Sequence, residues 1–251
     1  MTNRRLQETH MGVDVYNLKF LSQCHETIGP LGRTMQIGRQ GIYLDPKHRE
    51  AADAIVRDHG VGPNFDAVGG SEPYAETLYR HLGATDIVAC DASPYEGANF
   101  IHDLNEPLPA EIPDPFDTVV DGGSLEHIFN VPVALANLMR LTRVGGHILS
   151  MTIANNFLGH GFYQFSPDLA FRVFSDENGF EMRNIYLVDL NDNPELVAAI
   201  DPATSGQRVE IGETPKRTYL MFVARKIKDT LPFKRWPQQS DYSVMWESNK
   251  P

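Results

Sequence analysis

The chain has 251 residues, 41% of them hydrophobic, a formal net charge of −11 and two cysteines, Cys24 and Cys90. That length suits one α/β domain with additions, or at most two small domains, with a core that needs no disulfide; the acid excess disfavours a phosphate-tracking surface and with it a nucleic-acid partner. There is no CxxC or zinc spacing, no signal-peptide core and no apolar run of about 18–20 residues, so a soluble, cytoplasmic protein without a membrane partner is expected.

Residues 13–27 place Val13, Tyr16, Phe20 and Cys24 on one helical face, and Gly29-Pro30 ends that helix. "RTMQIGRQGIYL" predicts a short buried strand broken at Gly38. Pro46 opens a charged helix that Gly60 closes. "VGPNFDAVGGS" is a loop by its Gly and Pro content. Residues 72–82 form a helix with Ala75, Leu78, Tyr79 and Leu82 on one side. Three strands follow: "TDIVACDAS" to Asp91, "NFIHDL" to about Asp103, and "FDTVVDGG" to Asp121. Asn130 caps a helix that has Pro132 in its first turn and runs to about Thr142. "VGGHILSM" is a strand, "TIANNFLGHGFYQFSP" a loop and "DLAFRVFSDENG" a helix. "FEMRNIYLVDL" and "RTYLMFVARK" are two more strands. The tail after Lys226 is irregular. It packs over the body or on a neighbouring subunit, the latter allowing a homo-oligomer.

Alternating strands and helices predict a mostly parallel sheet covered on both faces. Ligands then bind outside the carboxyl ends of the strands. Asp91, Asp103 and Asp121 each end a strand there. A carboxylate in the place of Asp91 can accept from both hydroxyls of a ribose, with Ala92 beside it. Asp103 can accept from an adenine amino group, with the backbone at Leu104 reading the ring. Gly122 and Gly123 let backbone approach a ligand next to Asp121. The pattern asks for an adenosine-bearing cofactor, and NAD and S-adenosylmethionine both qualify.

The array "CDASPYEGANFIHDLNEPLP", "FDTVVDGGSLEHIFNVPVALANLMRLTRVGGHILSM" resembles the class I S-adenosylmethionine-dependent methyltransferases. In that family an acid ends the second strand, an Asp ends the third, and a "FDxVV" strand follows. The resemblance covers roughly residues 34–226. It implies a Rossmann-like, seven-stranded, mostly parallel sheet with helices on both faces, preceded by a helical extension over residues 1–33 and followed by a tail from 227. It also implies S-adenosyl-L-methionine as cofactor and methyl transfer to oxygen or nitrogen of a small-molecule acceptor. The family's Gly-x-Gly-x-Gly loop is absent. "MQIGRQG" is taken in its place, so that Gly38, Arg39 and Gln40 line the methionine part of the cofactor and Arg39 approaches its carboxylate; "FDAVGGSEPYAETL" is the other candidate.

Glu126 and His127 follow the fourth strand. Adjacent helix residues point about 100° apart and rarely chelate together, so no metal is expected. They are read as the rim of the cofactor pocket, with Glu126 toward substrate. The loop after the fifth strand crowds Asn155, Asn156, His160, Tyr163 and Gln164 into a short stretch. His160 is the candidate base and His127 the second, because an imidazole titrates near neutrality; Tyr163 is a further catalytic-site residue, its ring walling the substrate with Phe162. Asn155, Asn156 and Gln164 are candidate substrate contacts. Two other uses of the pocket stay open: different chemistry on the same cofactor, such as cyclisation or aminocarboxypropyl transfer, and binding without catalysis. A nicotinamide oxidoreductase ranks third, for want of GxGxxG.

Overall fold

The computed structural model describes residues 12–110, 114–191, 193–210 and 215–248. The first 11 residues of the expected extension and the last three of the tail lie outside them. The chain begins with β1 (Gly12–Val13) and α1 (Val15–Ile28). Asp14 caps α1 by accepting from the backbone N–H groups of Tyr16 and Asn17, both at 2.9 Å. Next come β2 (Gly32–Ile37), β3 (Gly41–Ile42), α2 (Arg49–Asp58), α3 (Phe65–Gly69) and α4 (Glu76–His81). They lead into β4 (Ala84–Asp91), β5 (Phe100–Ile101) and β6 (Phe116–Asp121). A short 3-10 turn, Leu125–His127, precedes α5 (Val131–Leu141) and β7 (Thr142–Asn155). The rest is α6 (Pro167–Val173), β8 (Phe180–Asp189), β9 (Val197–Ala198), α7 (Pro202–Ser205), β10 (Thr218–Lys226) and α8 (Ser240–Ser248).

The main sheet has eight strands in the order β5-β4-β2-β6-β7-β10-β8-β9. The first five are mutually parallel, and β10 lies antiparallel between β7 and β8. The expected seven strands are all present; the eighth is the two-residue β9, antiparallel to β8. This is the doubly wound arrangement, with its switch point between β2 and β6. Ile37 registers with both Cys90 and Asp121, so β2, β4 and β6 end at one level.

Both sheet faces are buried, and successive residues feed opposite cores. Val119, Ile148, Leu220 and Phe222 pack with α5 and α6. Their neighbours Val120, Leu149, Met221 and Val223 pack with α1, α2 and α4. The helix at residues 15–28 is therefore part of one of the two cores, through Leu18, Phe20 and Leu21, each 0% exposed. The boundary drawn at residue 34 falls inside β2.

Four local predictions are corrected. The "VGPNFDAVGGS" loop contains α3, capped by the Asn64 side chain at Ala67 N and anchored by buried Phe65 and Val68. The helix predicted over 72–82 starts only at Glu76, because Pro73 and Tyr74 bind Ile42 and Gly41 as extended chain. Asn130 does not cap α5 with its side chain, which instead donates to Asn105 O at 3.0 Å. The tail includes the helix α8. Among the described residues no helix is long and apolar enough to cross a membrane.

Candidate active site

A cavity of about 510 Å³ opens at the switch point. The end of β2 contributes Gly38, Arg39 and Gln40, and the end of β4 contributes Asp91 and Ala92. Of the residues singled out from sequence, Asp103, Leu104, Gly122, Gly123 and His127 also line it, and Asp121 does not. Tyr43, Glu96, His102, Asn105 and Ser124 also line it and were not anticipated.

Asp91 accepts from Ser93 N at 3.1 Å through one oxygen; the structure gives its other oxygen no partner among the described residues. β5 stops at Ile101, so Asp103 stands beyond the strand in an exposed turn. There Asn105 N and Asn105 Nδ2 both donate to it at 2.9 Å, and these bonds hold its pKa below the usual carboxylate value.

Two of the cofactor-side assignments, Arg39 and Asp121, need correction. Arg39 is already neutralised: it pairs with Glu76 at 2.8 Å, donates to Glu96 O at 2.9 Å and stacks on Tyr74 at 3.9 Å. It lines the cavity without offering an unpaired charge to a cofactor carboxylate. Asp121 is 0% exposed and does not line this cavity. Its carboxylate accepts from Ser124 N at 2.8 Å, Leu125 N at 3.3 Å and Ser150 Oγ at 2.8 Å, tying the turn after β6 to β7. Burial raises its pKa. Gly122 makes room for protein as much as for ligand. A Cβ there would lie 2.2 Å from the Gln40 amide, which Tyr79 OH holds at 2.5 Å.

A second, smaller cavity of about 50 Å³ shares Gly122 and Gly123 with the first. Glu126, Phe157, His160 and Tyr219 line it, and α1 closes it with Asn17. Here the 3-10 turn after β6 meets the loop after β7. Glu126 is 1% exposed; its Oε2 accepts from Thr152 Oγ1 at 2.7 Å, and its Oε1 lies 4.0 Å from His160 Nε2. The rings of His127 and His160 meet edge to face, 4.9 Å apart. One ligand atom from each of Glu126, His127 and His160 lies within 4.8 Å of the others. Burial, then the charge of Asp121, pushes the Glu126 carboxyl well above the carboxylate range. Burial lowers the pKa of both histidines, His160 further through His127 and Arg217.

The remaining loop residues turn away. Tyr163 OH donates to Phe129 O at 2.9 Å, Asn156 Nδ2 donates to Lys216 O at 2.6 Å, and Gln164 Oε1 accepts from Phe157 N at 2.9 Å. Neither they nor Asn155 line either cavity. They shape the loop that delivers His160. Asn17 and Tyr219, from the first helix and the last strand, were missed; nothing in their local sequence marks them.

No family model matches the chain, and no curated protein matches it in sequence. Solved structures are similar to it in fold. TehB from Haemophilus influenzae aligns with a TM-score of 0.43 and 15% identity, over 82% of this chain and 61% of that one. The chain thus spans less than two thirds of that protein's length. The N-methyltransferase NodS from Bradyrhizobium japonicum, in complex with S-adenosyl-L-homocysteine, aligns at 0.44 and 13% identity over 85% and 88% of the two chains. The 1,6-didemethyltoxoflavin-N1-methyltransferase from Burkholderia thailandensis aligns at 0.43 and 14%, over 84% and 78%.

Proposed function

We propose that the chain binds S-adenosylmethionine in the larger cavity and transfers its methyl group to oxygen or nitrogen of a small acceptor whose reacting group enters the smaller one. The observation that carries this is the cavity of about 510 Å³ at the doubly wound switch point, where Asp91, Asp103, Gly38 and Gly122-Gly123 come together. The residues fit the group. Asp91 takes the ribose hydroxyls, and Asp103 with Leu104 takes the adenine edge. Gly38, at φ 69° and without a Cβ that would lie 2.8 Å from Ser124 Oγ, leaves backbone to face the methionine part.

The bound sulfonium supplies an already activated methyl carbon. This chain then has to bring a nucleophile into line and keep water out. The two cavities meet at Gly122 and Gly123, so an acceptor group in the smaller one abuts the larger. An acceptor hydroxyl or protonated amine must also lose a proton; Glu126 and His160 line the smaller cavity, and His127, on the wall of the larger one, has a ligand atom within 4.8 Å of theirs. Phe157 and Tyr219 wall the smaller cavity, stacked at 5.4 Å. Calorimetric titration with S-adenosylhomocysteine and with NAD tests the reading. Binding of the first and not the second is expected; the converse overturns it.

A further inference from the structure

Glu126, His127 and His160 are two imidazoles and one carboxylate, drawn from two separate segments to within 4.8 Å. We infer that they form a binding site for one divalent transition-metal ion of the zinc, iron(II) or manganese class, on the acceptor side of the cavity. The inference deepens the proposed methyl transfer and rests on it only for the role of the metal, not for its binding.

The donor set suits such an ion. Imidazole nitrogen and carboxylate oxygen bind it at about 2.0–2.2 Å, which puts ligand atoms about 3.3–3.5 Å apart in a tetrahedral site. Here Glu126 Oε1 and His160 Nε2 are 4.0 Å apart. Closing the set around an ion needs ligand atoms that now lie within 4.8 Å of one another to draw together by roughly 0.5–1.5 Å.

The two segments are fastened to each other beforehand. Phe162 N and Tyr163 N donate to Glu126 O at 2.7 and 3.3 Å. Gly161, at φ 77°, brings the loop so near that a Cβ would lie 2.7 Å from that same oxygen. Glu126 is also oriented from behind. Thr152 Oγ1 holds Oε2 at 2.7 Å and so turns Oε1 toward His160, the outer support that metal-binding carboxylates commonly have.

The site's charge is compatible with a cation. Glu126 and Asp121 are two buried carboxylates, 1% and 0% exposed. Among the described residues no lysine or arginine forms an ion pair with Glu126. Buried carboxylates are ordinarily paired or bound to metal. A divalent ion bound there would hold Glu126 ionised by direct pairing. Three protein ligands leave coordination positions open, as in catalytic rather than structural sites. The adjoining cavity, with Asn17 and Tyr219 on its wall, gives an acceptor oxygen access to them.

The test uses the full chain, stripped with a chelator and titrated with Zn²⁺ and Co²⁺ by calorimetry and visible absorption. One ion per chain with micromolar or tighter affinity is expected, and ligand-field bands with Co²⁺. Glu126→Gln and His160→Ala should each weaken binding more than about tenfold, and Thr152→Val by about tenfold, with the fold checked by circular dichroism. His59→Ala, which removes a histidine paired with Glu26 elsewhere, should change nothing. No stoichiometric uptake by the folded parent chain overturns the inference, as does uptake that survives undiminished in both Glu126→Gln and His160→Ala. S-adenosylhomocysteine titrated into the metal-free chain separates the two claims. Its binding without metal uptake refutes the metal site alone, and metal uptake without its binding upholds the metal site while refuting the cofactor.

Discussion

Replacing Asp91 with alanine is the sharpest test of the cofactor site. Asp91 is half-buried at the end of β4, and one of its oxygens is held by Ser93 N. The other has no protein partner among the described residues, so two ribose hydroxyls would find acceptors already in place. Hydrogen bonds to a charged group are worth about 1.5–3 kcal/mol each in net terms. Partial exposure of the rim and loss of the Ser93 contact argue for counting one rather than two. The expected loss of S-adenosylhomocysteine affinity is therefore about 1.5–3 kcal/mol, or roughly 10- to 150-fold in Kd by calorimetry. Asp91→Asn keeps an acceptor but loses the charge, and should fall between. The fold should survive, since Asp91 pairs in the sheet through its backbone with Ile101. A folded Asp91→Ala protein with the parent's Kd would show that β4 does not meet the ribose.

Asp103→Asn presents a donor to a donor; it should reduce the preference for adenosine over inosine analogues, and an unchanged preference would place the adenine elsewhere. His160→Ala should lower turnover by about 10²–10⁴ once an acceptor is known, yet leave the Kd for S-adenosylhomocysteine within about twofold, because His160 lines only the smaller cavity; loss of cofactor binding would reverse the two sides. Phe20→Ala empties a fully buried position packed on Tyr186, and should cost about 3–5 kcal/mol in urea unfolding; a loss below about 1 kcal/mol would mean that α1 is not part of the core. Burial pushes the Asp14 carboxyl up to about 6 despite its bonds from Tyr16 N, Asn17 N and Tyr219 OH. The folded state thus holds that proton more tightly than the unfolded chain, so Asp14's contribution is complete below about pH 4 and is lost as pH rises through 6. Asp14→Asn, which still caps α1, should remove that loss and stabilise the protein above pH 7 by on the order of 1–3 kcal/mol; equal effects at pH 5 and pH 8 would refute the assignment.

The strands that were legible are those whose burial is two-sided. β6 and β10 read as apolar runs because neither face meets water, β4 and β8 keep an apolar stretch where they are buried, and the ends at Asp91 and Asp121 are marked by a charge and a turn. Legibility failed where a tertiary partner overrides local preference. Nothing local distinguishes Pro73-Tyr74 from a helix start; their pairing with Gly41-Ile42 decides it. α3 hides inside a Gly- and Pro-rich stretch because its helical state is held by Phe65 and Val68 in the core and by one Asn64 cap, not by propensity.

The site divides along the same line. The lining of the larger cavity was readable because a doubly wound sheet aligns strand ends, so residues far apart in sequence share one edge by topology alone. Asp121 shows the limit of that rule. It ends a strand at the right edge, yet three hydrogen bonds turn it inward as a post for the next turn. The acceptor side obeys no such register. Glu126 and His127 are sequence neighbours whose side chains were expected to diverge, and as a regular helix they would. The 3-10 turn at Leu125–His127 and the loop that brings His160 over Glu126 let them share one centre instead. That convergence depends on Gly161, the only residue type that fits against the Glu126 carbonyl at that backbone angle. The glycines flanking His160 therefore carried the signal for the cluster, and the polar residues around them, Asn155, Asn156, Tyr163 and Gln164, carry the loop. Substituting Gly161 by alanine should accordingly disturb the acceptor side while leaving Asp91 and the cofactor cavity as they are.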